Sequence, residues 1–366
     1  MKRRCALWLK QAGKAFVIHA LMPLICVGCL VLSLICKDMD LYSMECLAME
    51  YSAKELAARL AWAAAEIREE KNDESGAYFY AVPTDPSLPA AGEEPLHLTL
   101  QLPQGMRPIL RRDLSGKGFI NTTSYSLDEG ALRERAELAP IKGEEPLVLV
   151  VHTHGTESFY EGERFLDADG NADGYYDPQG DSPRSEDPEK NVLAVGEEFC
   201  RTLEEAGIAA LHCTTLHDQG NFNQSYSNSY ASVMNYLQEY PSIAYVVDIH
   251  RDSIVRDNGE KLKPYTVIEG KPCAQVMLVM GTDESGYSHP EWRVNMGNAL
   301  LYKDTMDGLY PGLSRSIYVR DVRFNQHVST GAMLLEVGSC GNRLEEAKNA
   351  AHFSAKALAA LIQSAE

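Results

Sequence analysis

From residue 147 onward, short unbroken apolar runs alternate with longer segments whose apolar positions recur at helical spacing. LVLVV (147–151) predicts a buried strand, NVLAVGEEFCRTLEEAG (191–207) an amphipathic helix closed by Gly207, and IAALHCT (208–214) a second strand. The alternation continues through a helix at 229–241, strands at 242–250 and 274–281, a helix at 295–312, a strand at 332–338 and a closing helix at 344–363. Strands this rich in Val, Ile and Leu, separated by helices, predict an α/β fold with a mostly parallel sheet flanked by helices. In such sheets, ligands sit beyond the carboxyl ends of the strands.

The N-terminal part has a different pattern. Residues 16–36, FVIHALMPLICVGCLVLSLIC, form a nearly unbroken apolar run long enough to cross a bilayer core of about 30 Å. Lys2, Arg3, Arg4, Lys10 and Lys14 precede it without an acid, so the positive-inside rule puts the N-terminus in the cytoplasm and the bulk of the chain outside. A cleaved signal peptide would have a shorter apolar region and a small-x-small site, which Leu34, Ile35 and Cys36 do not supply. His19 and Pro23 read as ordinary residues of the span. The chain therefore divides into a basic cytoplasmic tail (1–15), a transmembrane anchor (16–36), a juxtamembrane helix and linker (37–118) and an α/β domain (119–366). Leu47, Leu56, Leu60 and Ile67 carry the helical spacing of the third part. VPTDPSLPAAGEEP marks its linker, in which only LHLTLQL alternates like a strand.

Charge and cysteines narrow the function. A formal net charge of −18, with no basic face beyond the first residues, argues against a nucleic-acid partner. Cys26-x-x-Cys29 falls inside the apolar run and is no metal knuckle, while Cys200, Cys213, Cys273 and Cys340 are scattered and predict no disulfide framework.

Polar clusters stand at the ends of three apolar strands: His152-Thr-His154-x-x-Glu157 after LVLVV, Asp248-x-His250-Arg251-Asp252 after AYVV, and Glu336 within MLLEVG. Imidazoles and carboxylates are the donors that a tetrahedral Zn²⁺ with one open position uses. Such a zinc acidifies water and polarises a carbonyl, and with a carboxylate as proton shuttle the set amounts to an amide hydrolase. A single His at a strand end is most often a satisfied polar group; the joint placement carries the expectation. Asp248 and Asp252 either orient the His250 imidazole or pair with Arg251. Glu336, a carboxylate inside an apolar run, calls for a metal or a proton-transfer role to compensate its burial.

The runs VLVVHTHGTESFY, TTLHDQGNFNQSYSNSYASV, VVDIHRDS, YPGLSRSI, FNQ and LLEVGSCGNRLEEA, in this order over roughly 120–362, resemble the stage II sporulation protein P family. The resemblance implies a fold similar to zinc-dependent N-acetylmuramoyl-L-alanine amidases (the amidase/phosphorylase-hydrolase type), removal of stem peptides from peptidoglycan, and a second endopeptidase activity as an alternative. It also implies a role in forespore engulfment, an N-terminal anchor in the cell membrane, and stage II sporulation proteins D and M as partners. By the same resemblance His250 matches a zinc ligand and Glu336 the catalytic carboxylate. His152 and His154 share one strand parity, and either can face the metal. The remaining ligand is a Glu shortly before the first helix, a place Glu189 occupies, with Glu186, Glu157 and Asn191 as competitors.

Around that set, His217, Asp218, Asn223, Tyr226 and Ser229 read as turn and capping chemistry, with Asn223 and Tyr226 also candidates for the substrate rim. Arg251 and Arg323 are candidates for holding stem-peptide carboxylates, against surface ion pairs, and Asn325 and Gln326 for hydrogen bonds to peptide or sugar. FLDADGNADGYYDPQGD (165–181) has the Asp and Gly content of a calcium loop. Asp167-x-Asp169-Gly170 lacks the spacing and distal Glu of an EF-hand, so a polar surface insertion is expected. The non-enzymatic alternative is a wall-binding scaffold.

Overall fold

The computed structural model describes residues 102–365, apart from 142, 163–170 and 182. The apolar run 16–36, the juxtamembrane helix and all but the last residue of LHLTLQL lie outside the described residues, as do Asp167 and Asp169. No helix among the described residues is long and apolar enough to cross a membrane.

In chain order the elements are β1 (Arg107–Arg112), β2 (Phe119–Asn121), α1 (Glu129–Arg133), β3 (Val148–Val151), β4 (Ala172–Tyr176), α2 (Val192–Glu205) and β5 (Ala210–His212). There follow a 3-10 turn (Phe222–Gln224), α3 (Ser225–Glu239), β6 (Tyr245–Asp252), β7 (Lys261–Ile268), β8 (Lys271–Ala274), β9 (Val276–Gly281) and α4 (Trp292–Leu309). Last come β10 (Ile317–Arg320), a second 3-10 turn (Gln326–Val328), β11 (Gly331–Ser339) and α5 (Leu344–Gln363).

Seven strands form the main sheet in the order β2-β10-β9-β11-β6-β3-β5. All its pairings are parallel except β9 with β11. That seam departs from a simple parallel sheet for a local reason. Only residues 321–330 connect β10 to β11, too few for a helical crossover, so β11 returns in the opposite direction. Alternation along the buried strands splits the core. Val148, Val150, Val247, Ile249 and Leu335 face α2, α4 and α5, while Leu149, Val151, Val246 and Ala332 pack with Val233 of α3. The helices form where their sequence says they should. In α2, Asn191 caps the N-terminus by accepting from Leu193 N at 2.9 Å, Val192, Val195, Phe199 and Leu203 make the buried stripe, and Gly207 supplies the positive φ (83°) that ends it.

A second sheet, β4-β1-β7-β8, stands at the carboxyl end of the first. Its β1 lies within the residues read above as linker, so the folded body reaches back to Arg107. β4 lies in the segment read as a polar insertion, pairing antiparallel with β1. This sheet is joined to α5 by a buried ionic cluster: Lys263, 1% exposed, contacts both Asp173 and Glu346, and Arg111 donates to Asp173 at 2.8 Å. Burial works against the Asp173 carboxylate, but the Lys263 and Arg111 cations outweigh it and hold its pKa below the usual range. Asp173→Ala would strand the Lys263 ammonium with a single partner. Loss of roughly 3–5 kcal/mol is expected from breaking so buried a pair, read as a lowered urea midpoint at unchanged slope.

Candidate metal centre

β6 is buried along its whole length, and its alternation turns Asp248, His250 and Asp252 to one face, the face that α3 covers. β11 pairs with β6 in parallel register, Glu336 beside His250, so the two side chains share that face. The register then shifts between Glu336 and Ser339, where Gly338 takes φ 73° and leaves no room for a Cβ against Ala274 and Asn342. An irregularity of this kind re-aims side chains at the end of a strand.

β3 stops at Val151, so strand parity does not extend through the next three residues and the two histidines part. His152 turns inward. Its Nδ1 donates to the Ile249 carbonyl at 2.9 Å and its Nε2 meets His212 Nε2 at 2.9 Å, against Gly196, where a Cβ would clash. Both ring nitrogens are engaged, and no lone pair remains for a metal. Burial, with the neighbouring His212, pushes its pKa down to about 3. His154 instead faces Glu157 and His250. Its Nδ1 lies 3.5 Å from Glu157 Oε1, and His250 Nδ1 lies 3.5 Å from Glu157 Oε2. One donor atom from each of His154, Glu157 and His250 can be chosen so that all lie within 4.8 Å of one another, and all three residues are buried. Each imidazole meets a different oxygen of Glu157 at 3.5 Å, close to the roughly 3.3 Å between ligands of a tetrahedral zinc at about 2.0–2.1 Å. Two imidazoles and one carboxylate form the three-ligand set of catalytic zinc sites.

Glu157 reaches this position through tertiary bridges, with Arg184 opposite it and Asn191 opposite Ser158, and its Oε2 accepts from Arg251 N at 3.0 Å. Burial alone would raise its pKa; contacts with His154 and His250 and the Arg251 charge overcome this and hold it well below the usual range. In His250 burial is likewise overcome, by Asp248 and Glu157, so its pKa rises well above the ordinary value. His154 is lowered by burial. Asp248 Oδ1 lies 3.0 Å from His250 Nε2 and is itself held by Thr153, whose N and Oγ1 donate to its two oxygens at 2.8 and 2.6 Å.

Glu336 is only half-buried, yet its Oε2 has no hydrogen-bond partner. Burial, then the Asp252 charge, pushes its pKa up to about 8 against the opposing charge of His250. Asp252 binds Arg315 at 2.8 Å. Arg251 does not present a fork to a ligand: its guanidinium donates to the carbonyls of Ser158, Asp252 and Pro183, and the residue is 5% exposed. Its role is to fasten the Glu157 segment to β6.

Glu189, in contrast, is exposed, in the turn before α2 and outside the cluster, because Asn191 takes the capping place and Glu157 enters from the β3 side. Glu186 is exposed and accepts from Gln219 at 3.0 Å. Asp218 and His217 are structural: Asp218 binds Thr156 Oγ1 at 2.6 Å and Arg184 at 2.8 Å, and His217 lies between the His152 carbonyl and Ser232. At the rim, Phe222 stacks on His154 with centroids 4.5 Å apart, and Tyr226 meets the same ring edge-on at 5.6 Å. Phe222 is absent from the residues singled out in the sequence, where nothing but its place one residue before Asn223 points to it. Asn223 is exposed on the same 3-10 turn. Asn325, at φ 58° beside Phe324 at φ 47°, donates to Tyr226 O at 2.8 Å and Ser229 Oγ at 3.2 Å and so ties the β10–β11 connection to α3. Gln326 is buried, bridging Gly281 N and Val279 O. Arg323 sits apart from the cluster, donating to Ser288 O at 3.1 Å over the Tyr287 ring.

The fold and this arrangement define an α/β protein with a buried His–Glu–His candidate metal site on one face of a mostly parallel sheet. The model of the family Stage II sporulation protein P (SpoIIP) matches residues 108–359, and the chain belongs to that family. It is 29% identical over 238 residues to Stage II sporulation protein P of Bacillus subtilis (strain 168), a match covering 61% of this chain and 53% of that protein, so the chain spans about half the length of its curated relative. Among solved structures it is similar to the N-acetylmuramyl-L-alanine amidase Ami1 from Mycobacterium smegmatis (13% identity, TM-score 0.34, 62% of this chain and 100% of that one). It is also similar to the CwlD amidase from Clostridioides difficile in complex with the GerS lipoprotein (14% identity, TM-score 0.33, 60% and 97%).

Proposed function

We propose that the protein is a zinc-dependent N-acetylmuramoyl-L-alanine amidase that acts on peptidoglycan during sporulation, held in the cell membrane by residues 16–36 with its folded domain outside. The observation that carries this reading is the His154–Glu157–His250 cluster with Glu336 beside it, its Oε2 unpartnered and its pKa pushed up to about 8. Membership in the sporulation family supports the biological setting. His154, Glu157 and His250 would hold the zinc, which when bound supplies Lewis acidity toward an amide carbonyl and acidifies water.

The chain's own residues do the rest. Glu336 takes a proton from the attacking water and returns it to the leaving nitrogen of L-alanine, work suited to a carboxyl whose pKa lies near neutrality. Asp248, held by Thr153, orients the His250 ring. Phe222 and Tyr226 restrict the motion of His154 and offer apolar faces to the sugar or peptide at the rim. Stage II sporulation proteins D and M are the proposed partners.

The detergent-solubilised chain is expected to release stem peptides with a free L-alanine amino terminus from peptidoglycan. Chelator should stop the release and added zinc restore it, as read by mass spectrometry. Fragments cut within the stem, with the muramoyl–alanine bond intact, would establish the endopeptidase instead. Bound zinc with no product would leave a wall-binding scaffold.

A further inference from the structure

A cavity of about 480 Å³ is lined by residues 158–162 and bounded by β4, β7 and the residue after β11. Ser158, Tyr176, Asp177, Asp181, Lys261 and Cys340 are among its walls. It adjoins the candidate site through the chain itself. Ser158 follows Glu157, its carbonyl accepts from Arg251, and Cys340 N donates to Asp252 O at 2.8 Å.

Lys261 is the unusual member of this wall. The residue is 8% exposed, yet among the described residues its ammonium has no hydrogen-bond or ion-pair partner; Nζ lies 3.6 Å over the Tyr176 ring. Its neighbour Lys263 shows the ordinary solution, two carboxylates in contact with one buried ammonium. The Lys261 stem is buried while its Nζ opens onto the cavity, where a ligand's carboxylate can reach it. Burial lowers its pKa, against the nearby Cys340 and Asp181. Both signs of charge line the cavity: Arg184 and Lys190 are paired with Asp218 and Glu161, and Asp177 and Asp181 stand on the same wall as Lys261. A single carboxylate with a free ammonium close by fits both signs of charge.

We propose that this cavity is a second substrate subsite, in which Lys261 binds a carboxylate of the peptidoglycan stem peptide and Asp177 and Asp181 receive the ammonium of its diamino-acid residue. The inference rests on the peptidoglycan reading above. Lys261 is a positioning residue: it touches the far end of the substrate and so fixes which amide lies over Glu336.

The test uses the full-length, zinc-loaded chain carrying Glu336→Gln, so that cleavage does not interfere. Calorimetry compares two probes, an N-acetylmuramoyl tripeptide ending in diaminopimelic acid and the same compound with its terminal carboxylate amidated. The free acid is expected to bind about tenfold or more tightly than the amide, as a desolvated charge-assisted contact should. Lys261→Met should abolish that preference and Lys261→Arg should keep part of it. The thermal midpoint of Lys261→Met should be unchanged or raised, whereas a lysine with a purely structural role would lower it. Equal binding of acid and amide by the Lys261-bearing protein overturns the subsite while leaving the amidase reading intact, as does a preference that survives Lys261→Met. Binding of neither probe removes the peptidoglycan reading and the subsite with it. The acid-against-amide comparison needs no lysine variant, so it decides the matter even if Lys261→Met fails to fold.

Discussion

Glu336→Gln is expected to lower the rate of stem-peptide release by roughly 10²–10⁴-fold, the contribution typical of a positioned general acid–base. Bound zinc should stay at the level of the unaltered chain, because Glu336 is not among the three clustered donors. The substitution keeps shape and half-burial but removes the ability to take up a proton at the atom that has no partner. A stability readout separates this from general damage. In the metal-free protein the carboxyl's pKa is raised from 4.5 to about 8, so its protonated form is the one the fold prefers. Its contribution to stability is present below the ordinary value and is lost as pH rises through about 8. Chelator-treated Glu336→Gln should therefore lose less stability than the parent chain between those limits, as read by thermal midpoints across the pH series. An activity loss accompanied by zinc loss would assign Glu336 to the metal instead.

The main sheet was legible because its strands are buried on both faces, and continuous Val, Leu and Ile runs have no other use in a soluble domain. The closing helix shows the same economy: the Ala and Leu spacing of 344–363 is the stripe it buries. What escaped was the second sheet. β7, KLKPYTVI, carries a proline and two lysines, β4, ADGYY, looks like a polar insertion, and β1, RPILRR, sits in apparent linker. These segments are strands because β1 pairs with both β4 and β7, with Lys263 reaching Asp173 and Glu346 across 90 and 83 residues of chain, and no local pattern records pairings that distant. The antiparallel seam at β9 and β11 is of the same kind, set by the length of a connection.

The candidate site was legible where strand and chemistry coincide. His250 and Glu336 stand on adjacent strands in register, and the alternation of DIHRD puts both neighbouring aspartates on the histidine's face. The ambiguity between His152 and His154 could not be resolved by parity, since β3 ends before either, and the partner of His152 is His212 on another strand. Arg251 misleads for a similar reason: a guanidinium beside a candidate metal ligand looks like a substrate clamp, yet here it spends its donors on three backbone carbonyls.

The third candidate ligand gives the sharpest contrast between the two levels. Glu157→Gln should weaken zinc binding by more than about a hundredfold, beyond the 10–100-fold typical of residues that only orient a ligand, with activity lost in proportion. Glu189→Gln should leave zinc content and activity unchanged. The amide at 157 keeps the volume and an oxygen to accept from Arg251 N, so the segment stays fastened while the negative charge between the two imidazoles is removed. With that charge gone, the contacts that hold His250's pKa high are reduced to Asp248 alone. Glu189 has no such geometry: it is exposed, and its backbone N–H donates to Asp187 Oδ1 at 3.0 Å in a turn. Zinc measured by atomic absorption after gel filtration of the two variants decides between them. Retention of metal by Glu157→Gln together with its loss in Glu189→Gln would return the ligand to the helix-leading turn and require that turn to close over His154 and His250.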